Sequence, residues 1–183
     1  MLLALGANLT STSGLPLETL KLSLLALENE GAVIRKVSSF YNTPAFPAGN
    51  GPDFVNAAAE ISADWDAEQT LAICHKIEHQ MGRARLQRWG QRTLDIDLIA
   101  FGDMLLPDAK THALWRNLPL DAQMTQTPEQ LILPHPRLQD RAFVLVPLAD
   151  VAPNWRHPVL NMTTVQMRDA LSAADLAAVT FLE

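Results

Sequence analysis

The stretch Arg83-Ala84-Arg85-Leu86-Gln87-Arg88-Trp89-Gly90-Gln91-Arg92-Thr93-Leu94-Asp95-Ile96-Asp97-Leu98 decides the reading of this chain. Its first ten residues hold four arginines and no acidic residue, in a protein whose formal net charge is -6. Its last part, 93–101, is an apolar run interrupted by two aspartates at i and i+2. That run reads as a strand. A strand has a side-chain period of two, so Asp95 and Asp97 share one face while Leu94, Ile96 and Leu98 share the other. Two carboxylates on one face repel each other. A divalent cation removes that cost, and Mg²⁺ favours one or two protein carboxylates completed by waters and phosphates. Guanidinium groups bind phosphate oxygens in pairs, so the neighbouring arginines suit a polyphosphate. The stretch is read as a Mg·nucleotide site with a cationic flap; a solvated edge strand beside a basic loop is the plainer alternative.

Working outward, strands are expected at Leu2 to Leu5, Val33 to Tyr41, Phe54 to Ile61 and Thr93 to Phe101. Pro16 suits a helix start, Leu17, Leu20, Leu24 and Leu27 form one helical stripe, and Gly31 fits the position after a helix end. A second helix is expected from an aspartate cap at 64–66 to about Met81, with Glu78 on its apolar stripe. That carboxylate is read either as emerging at the helix end or as pairing with an arginine. Residues 42–53 hold three prolines and two glycines and read as loop. Residues 107–129 show no clean period and read as an excursion with one short helical turn. A helix capped by Asp140 is expected through about Ala149, and a last one over Val165 to Ala173.

The order strand, helix, strand, strand, helix, strand is the split βαβ order. The expected fold class is α+β: ferredoxin-like, an antiparallel sheet with helices packed on one face and a C-terminal helical and irregular extension. The other face is then available for a ligand, with Phe54, Asn56, Asp95 and Asp97 as candidates. At 183 residues one domain (1–183) is expected, carrying an insertion at about 107–129. No apolar run approaches the roughly 20 residues that span a bilayer. Cys74 is the single cysteine, which excludes an intramolecular disulfide and a cysteine-rich metal site and favours the cytoplasm. A pI near 5.3 argues against a general nucleic-acid binder.

The residues resemble the 6-hydroxymethyl-7,8-dihydropterin pyrophosphokinase family of folate biosynthesis. The resemblance runs through Leu5-Gly6-Ala7-Asn8-Leu9, Val37-Ser38-Ser39-Phe40-Tyr41, Asp53-Phe54-Val55-Asn56 and Ile77-Glu78. It is most specific over 88–98 and resumes at Pro134-His135, Arg141-Ala142-Phe143 and Pro147-Leu148. It implies transfer of pyrophosphate from ATP to the pterin hydroxymethyl group, with AMP released. It implies two Mg²⁺ ions held by Asp95 and Asp97, and Arg83 and Arg92 assisting the transfer. The ATP side would be formed by His75, Arg85, Arg88, Trp89, His135 and Arg141, with backbone at Leu98 and Ile132 holding adenine. The pterin would stack between Phe54 and Phe143, with Asn56, Thr43, Pro44 and Phe46 around its polar edge. ATP and the pterin are the implied partners, with neither nucleic acid nor membrane, and a monomer is favoured.

The chain also departs from the family pattern. Phe54 replaces a common tyrosine, Gln91 a frequent proline, and Pro136 a position often aromatic. Gln130 and Ile132 stand where arginine and threonine are common, so Arg116 or Lys110 in the insertion is expected to supply a missing ATP contact. A paired-aspartate nucleotidyltransferase, a ferredoxin-like ligand-binding module and an inactive relative are the competing classes. The first lacks its usual Gly-Ser turn here. The second has no need of two aspartates beside four arginines. The third sits poorly with intact Arg83, Arg92, Asp95 and Asp97.

Overall fold

The computed structural model describes residues 1–11, 13–45, 51–82 and 92–182. A six-stranded antiparallel sheet contains β1 (Leu2–Ala7), β2 (Val33–Val37), β3 (Tyr41–Thr43), β4 (Phe54–Ser62), β5 (Asp95–Ala100) and β6 (Thr180–Phe181). The order is β5-β1-β4-β3-β6, with β2 also paired to β4. Helices α1 (Pro16–Asn29) and α2 (Ala67–Gln80) follow β1 and β4 as expected. Asp66 caps α2 by accepting from the Gln69 N–H at 2.8 Å.

The strand alternation sorts side chains onto two faces. Leu3 and Leu5 of β1, Val55, Ala57 and Ile61 of β4, and Ile96 and Leu98 of β5 pack against Leu20 and Leu27 of α1 and Cys74 and Ile77 of α2. Burial pushes the Cys74 thiol up to about 12, so it acts as a core residue. On the other face Leu2, Ala58 and Ile99 meet Leu138, Val144, Leu145 and Leu148. The last three lie on α5 (Ala142–Val151). The C-terminal extension therefore covers half of the second face, and the face is open only toward the ends of β1, β4 and β5 that carry Gly6, Phe54 and Asp95.

Several local expectations are corrected. The strand expected over Val33 to Tyr41 is two strands. At the break, Ser38 Oγ accepts the Ala58 N–H at 2.8 Å, a hydroxyl taking the place of a backbone acceptor. The excursion at 107–129 contains two helices, α3 (Ala109–Arg116) and α4 (Leu120–Thr125). Asp108 caps α3, its Oδ1 accepting the N–H groups of Lys110 and Thr111, both at 2.9 Å. Asp140 ends a 3-10 turn (Leu138–Asp140) instead of capping α5, whose N-cap is Arg141. The last expected helix is α6 (Thr164–Asp169) followed by α7 (Ala173–Ala177), and β6 had no sequence signal at all. Among the described residues no helix is long and apolar enough to cross a membrane.

The C-terminal segment is anchored by His157, which is 0% exposed. Its Nδ1 accepts the N–H groups of Val159 at 3.1 Å and Leu160 at 3.2 Å. Burial, then His112, then Arg116 pull its pKa down to about 4. The unfolded chain takes up a proton near pH 6.5 that the folded chain refuses until about pH 4. Stability from this group is therefore complete above pH 6.5 and lost as the pH falls toward 4. Between pH 8 and pH 5 the wild type is expected to lose about 2 kcal/mol through His157. Urea unfolding of wild type and His157→Gln at both pH values checks this, the variant showing the smaller loss.

Candidate active site

Register places one residue from each of three strands in a single row. Gly6 of β1 pairs with Asn56 of β4 on one side and with Asp95 of β5 on the other. Ala4 pairs with Asp97. Gly6 thus lies inside a strand, between an amide and a carboxylate. A Cβ built on it would sit 3.1 Å from Asn56 Oδ1 and 3.9 Å from the Phe54 ring. The missing side chain leaves a gap in the floor of a cleft of about 550 Å³.

One end of the cleft is lined by Thr43, Pro44, Phe54, Asn56 and Phe143. Asn56 is buried, and its Nδ2 donates to Thr43 Oγ1 at 2.7 Å, which orients the amide. Phe143 is 39% exposed despite its helix being apolar all round. It lines the cleft, 5.5 Å from the Arg141 guanidinium. The other end holds Asp95, Asp97, Arg92, His135, Arg137 and Arg141. Arg92 Nη1 forms an ion pair with Asp95 Oδ2, and Arg141 Nη1 lies 3.9 Å from Asp97 Oδ2. Burial pulls the Arg141 guanidinium below its ordinary value, and the two aspartates oppose that pull.

His135 is fixed as a neutral donor. Its Nδ1 accepts the Arg137 N–H at 3.2 Å, so the proton resides on Nε2. Burial, then Arg141 and Arg137, hold its pKa down to about 3. Its own N–H donates to Ile99 O at 2.8 Å, which brings the segment carrying Ile132 beside the strand carrying Leu98. Both side chains are buried, and neither lines the cleft. His75 lies on the exposed side of α2, outside the cleft lining. Phe46, Arg83, Arg85, Arg88 and Trp89 lie outside the described residues.

Asn8 ties Pro52 to Arg92. Its Nδ2 donates to Pro52 O at 3.0 Å, its Oδ1 accepts the Arg92 N–H at 2.8 Å, and its N–H donates to Arg92 O at 3.0 Å. Glu78, 2% exposed, neither emerges nor serves merely as an arginine partner. Its Oε1 accepts the N–H of Ile96 at 2.8 Å, the residue between the two aspartates. The helix-packed carboxylate thereby fixes the height of the strand that presents Asp95 and Asp97.

The sequence reading missed Gln123 of α4, Arg137, Asp140 and Asp175, all of which line the cleft. Arg137 had a signal, being two residues from His135 in the same turn. Asp175 had none, because it reaches the cleft from α7. Lys110 and Arg116 do not line the cleft; Arg137 does, and its Nη2 donates to Gln123 O at 3.2 Å.

The family model for 7,8-dihydro-6-hydroxymethylpterin-pyrophosphokinase matches residues 2–153. The chain belongs to this family. A relative from Pseudomonas aeruginosa, named 2-amino-4-hydroxy-6-hydroxymethyldihydropteridine pyrophosphokinase, is 36% identical over 85% of this chain and 82% of its own length. One of the same name from Haemophilus influenzae is 32% identical over 82% of this chain and 79% of its own. The Synechocystis relative is 35% identical over 75% of this chain, which spans only 60% of that protein. The wild-type HPPK-DHPS of Plasmodium falciparum shares the fold, with a TM-score of 0.59 at 18% identity, over 92% of this chain and 44% of the Plasmodium chain.

Within the family fold, Glu78 supplies a test of how the aspartate strand is held. Glu78→Ala leaves a buried N–H unpaired and opens a cavity, and is expected to cost about 2–4 kcal/mol. Glu78→Gln keeps an acceptor oxygen and is expected to cost less. Urea unfolding of the two variants gives both numbers.

Proposed function

We propose that this chain transfers pyrophosphate from ATP to the hydroxymethyl group of 6-hydroxymethyl-7,8-dihydropterin, releasing AMP, within folate biosynthesis. The observation that carries this reading is the single row Asn56, Gly6, Asp95. It puts an oriented amide and two phenylalanines at one end of a cleft, and two carboxylates with three arginines at the other. A flat, hydrogen-bonding heterocycle suits the first end. A polyphosphate suits the second.

The donor set fits Mg²⁺. Two carboxylates with no third His, Cys, Asp or Glu grouped beside them, among the described residues, are what Mg²⁺ takes when phosphates complete its shell. Asp95 and Asp97 would hold the metal, two ions on this reading, and its charge would offset that of the phosphates. The arginines have a second part. Arg92 forms an ion pair with Asp95, and Arg141 approaches Asp97. With a metal held by the carboxylates, both guanidiniums would be available to phosphate oxygens. His135 Nε2–H is a neutral donor for the same group, and Arg137 adds a further cation.

In the reaction the pterin hydroxymethyl oxygen forms a bond to the β-phosphorus as the bond from that phosphorus to the α-bridging oxygen breaks. The hydroxyl proton passes to solvent water, and AMP departs with the former bridging oxygen. The work of the chain is positioning and charge compensation. All the groups invoked come from one chain, so we read it as acting as a monomer, and we assign it to the cytoplasm on its ATP dependence and its single cysteine.

The deciding experiment measures AMP from Mg·ATP with and without the pterin. Wild type is expected to release AMP only with pterin, and Asp95→Asn to lose about 10²-fold or more in kcat. ADP as product would instead mean attack at the γ-phosphorus, and no turnover with pterin still bound would mean a binding module. Gly6→Ala has a different expected signature. Its methyl crowds Asn56 Oδ1, so the KM for pterin is expected to rise about tenfold while thermal unfolding stays within a few degrees of wild type.

A further inference from the structure

His112 is the one polar group of α3 that is wholly buried, at 0% exposure. Its Nε2 lies 3.0 Å from the carbonyl oxygen of Pro134. A carbonyl only accepts, so Nε2 carries the proton and Nδ1 is a bare acceptor. That Nδ1 is buried without a partner. The neighbouring ring is His157, 5.8 Å away between centroids at 62°. Because His157 Nδ1 accepts two backbone N–H groups, its proton lies on Nε2, which is likewise buried and unpartnered. One orphaned atom is a donor and the other an acceptor, on adjacent rings. A metal ion does not account for the pair: His157 Nε2 already holds a hydrogen, and no third ligand residue joins them among the described residues. A bridging water would satisfy both, accepting from His157 Nε2–H and donating to His112 Nδ1.

The carbonyl that His112 holds belongs to the residue before His135. The same segment is held at two other points, one just before the insertion and one within it. Leu106 and Leu133 exchange N–H···O bonds of 2.9 and 3.2 Å, and Arg137 Nη2 donates to Gln123 O at 3.2 Å. His135 and Arg137 line the cleft end that holds the aspartates. The 107–129 insertion thus reaches the cleft through the backbone and side chains of 133–137.

We propose that His112 is a positioning residue for the nucleotide end of the cleft: by donating to the Pro134 carbonyl it fixes the turn that presents His135 and Arg137. This deepens the pyrophosphokinase reading and rests on it. His112 touches neither substrate, so its effect is confined to the geometry of one end.

The test compares wild type, His112→Phe and His112→Gln in the pterin-dependent AMP assay, with the dissociation constant of a non-hydrolysable Mg·ATP analogue measured alongside. Phenylalanine keeps the ring and removes the donor; glutamine returns an N–H near the same place. His112→Phe is expected to raise the KM for ATP and the analogue constant about tenfold, with the pterin KM within about twofold. His112→Gln is expected to recover most of that loss. An unchanged ATP KM in the phenylalanine variant, equal rises for ATP and pterin, or a glutamine variant no better than phenylalanine would overturn the proposal. Should His112→Phe fail to fold, the glutamine variant decides: ATP affinity near wild type supports the role and a tenfold loss sinks it. If wild type releases no pterin-dependent AMP, the functional reading fails, while the analogue constants still judge His112.

Discussion

The period-two alternation of β1, β4 and β5, held in one register, is the constraint on which the rest of the molecule depends. Each strand gives apolar side chains to the face under α1 and α2 and gives Gly6, Asn56 and the aspartates to the opposite face. A slip of one residue in β5 would drive Asp95 and Asp97 into the helix-packed core and expose Leu94, Ile96 and Leu98. Burying two unpaired carboxylates is far costlier than burying leucines, so hydrophobic burial and charge solvation select the same register. The Glu78 hydrogen bond to Ile96 adds a polar contact from the helix side that only this register satisfies.

The electrostatics of the cleft follow from that arrangement. Arginine supplied from the flap root and from the start of α5 meets each carboxylate, so neither aspartate faces the other alone. The arginines are delivered by different elements, one by the segment before β5 and one by the N-cap of α5. The acidic chain thus concentrates cationic side chains at one place without a basic surface. Gly6 separates this charged end from the Asn56 and Phe54 end, and the separation is made by the absence of a side chain.

What was legible in the sequence was what strand and helix periodicity controls. Phe54 and Asn56 were assigned to one face and Val55 to the other, Asp95 and Asp97 to the ligand face, and the leucine stripe of α1 to the core; all are so placed. What was not legible depends on contacts remote in sequence. Ser38 breaks a strand because its hydroxyl meets Ala58, twenty residues away. The insertion looked irregular because α3 and α4 are short and carry prolines beside them, although Asp108 signalled a cap. Phe143 carried no periodic signal of its own, because α5 is buried on most sides, which erases the amphipathic pattern. In the site, Glu78 was noticed on its helix stripe but its hydrogen bond to the Ile96 N–H was not, since backbone N–H groups of another element are invisible to a pattern of side chains. Asp175 and β6 left no trace, because a two-residue strand has no period.

That last strand has a consequence for how firmly the cleft is built. β6 adds only two residues to the edge of β3, through Tyr41 to Phe181 and Asn42 to Thr180, and α7 just before it brings Asp175, Ala178 and Val179 to the cleft wall. Both residues of β6 are exposed, and no residue of α7 is buried. Such a segment opens with little free energy, while the sheet beneath, closed by two apolar cores, opens only with the whole molecule. The protein therefore has two stabilities: one for the platform that carries the aspartates, and a smaller one for the wall that completes the enclosure. A ligand seated between wall and platform raises both by mass action, and the change is read most directly at the wall. Amide hydrogens at 180–182 then become a built-in gauge of cleft occupancy, readable at residues that take no part in the chemistry.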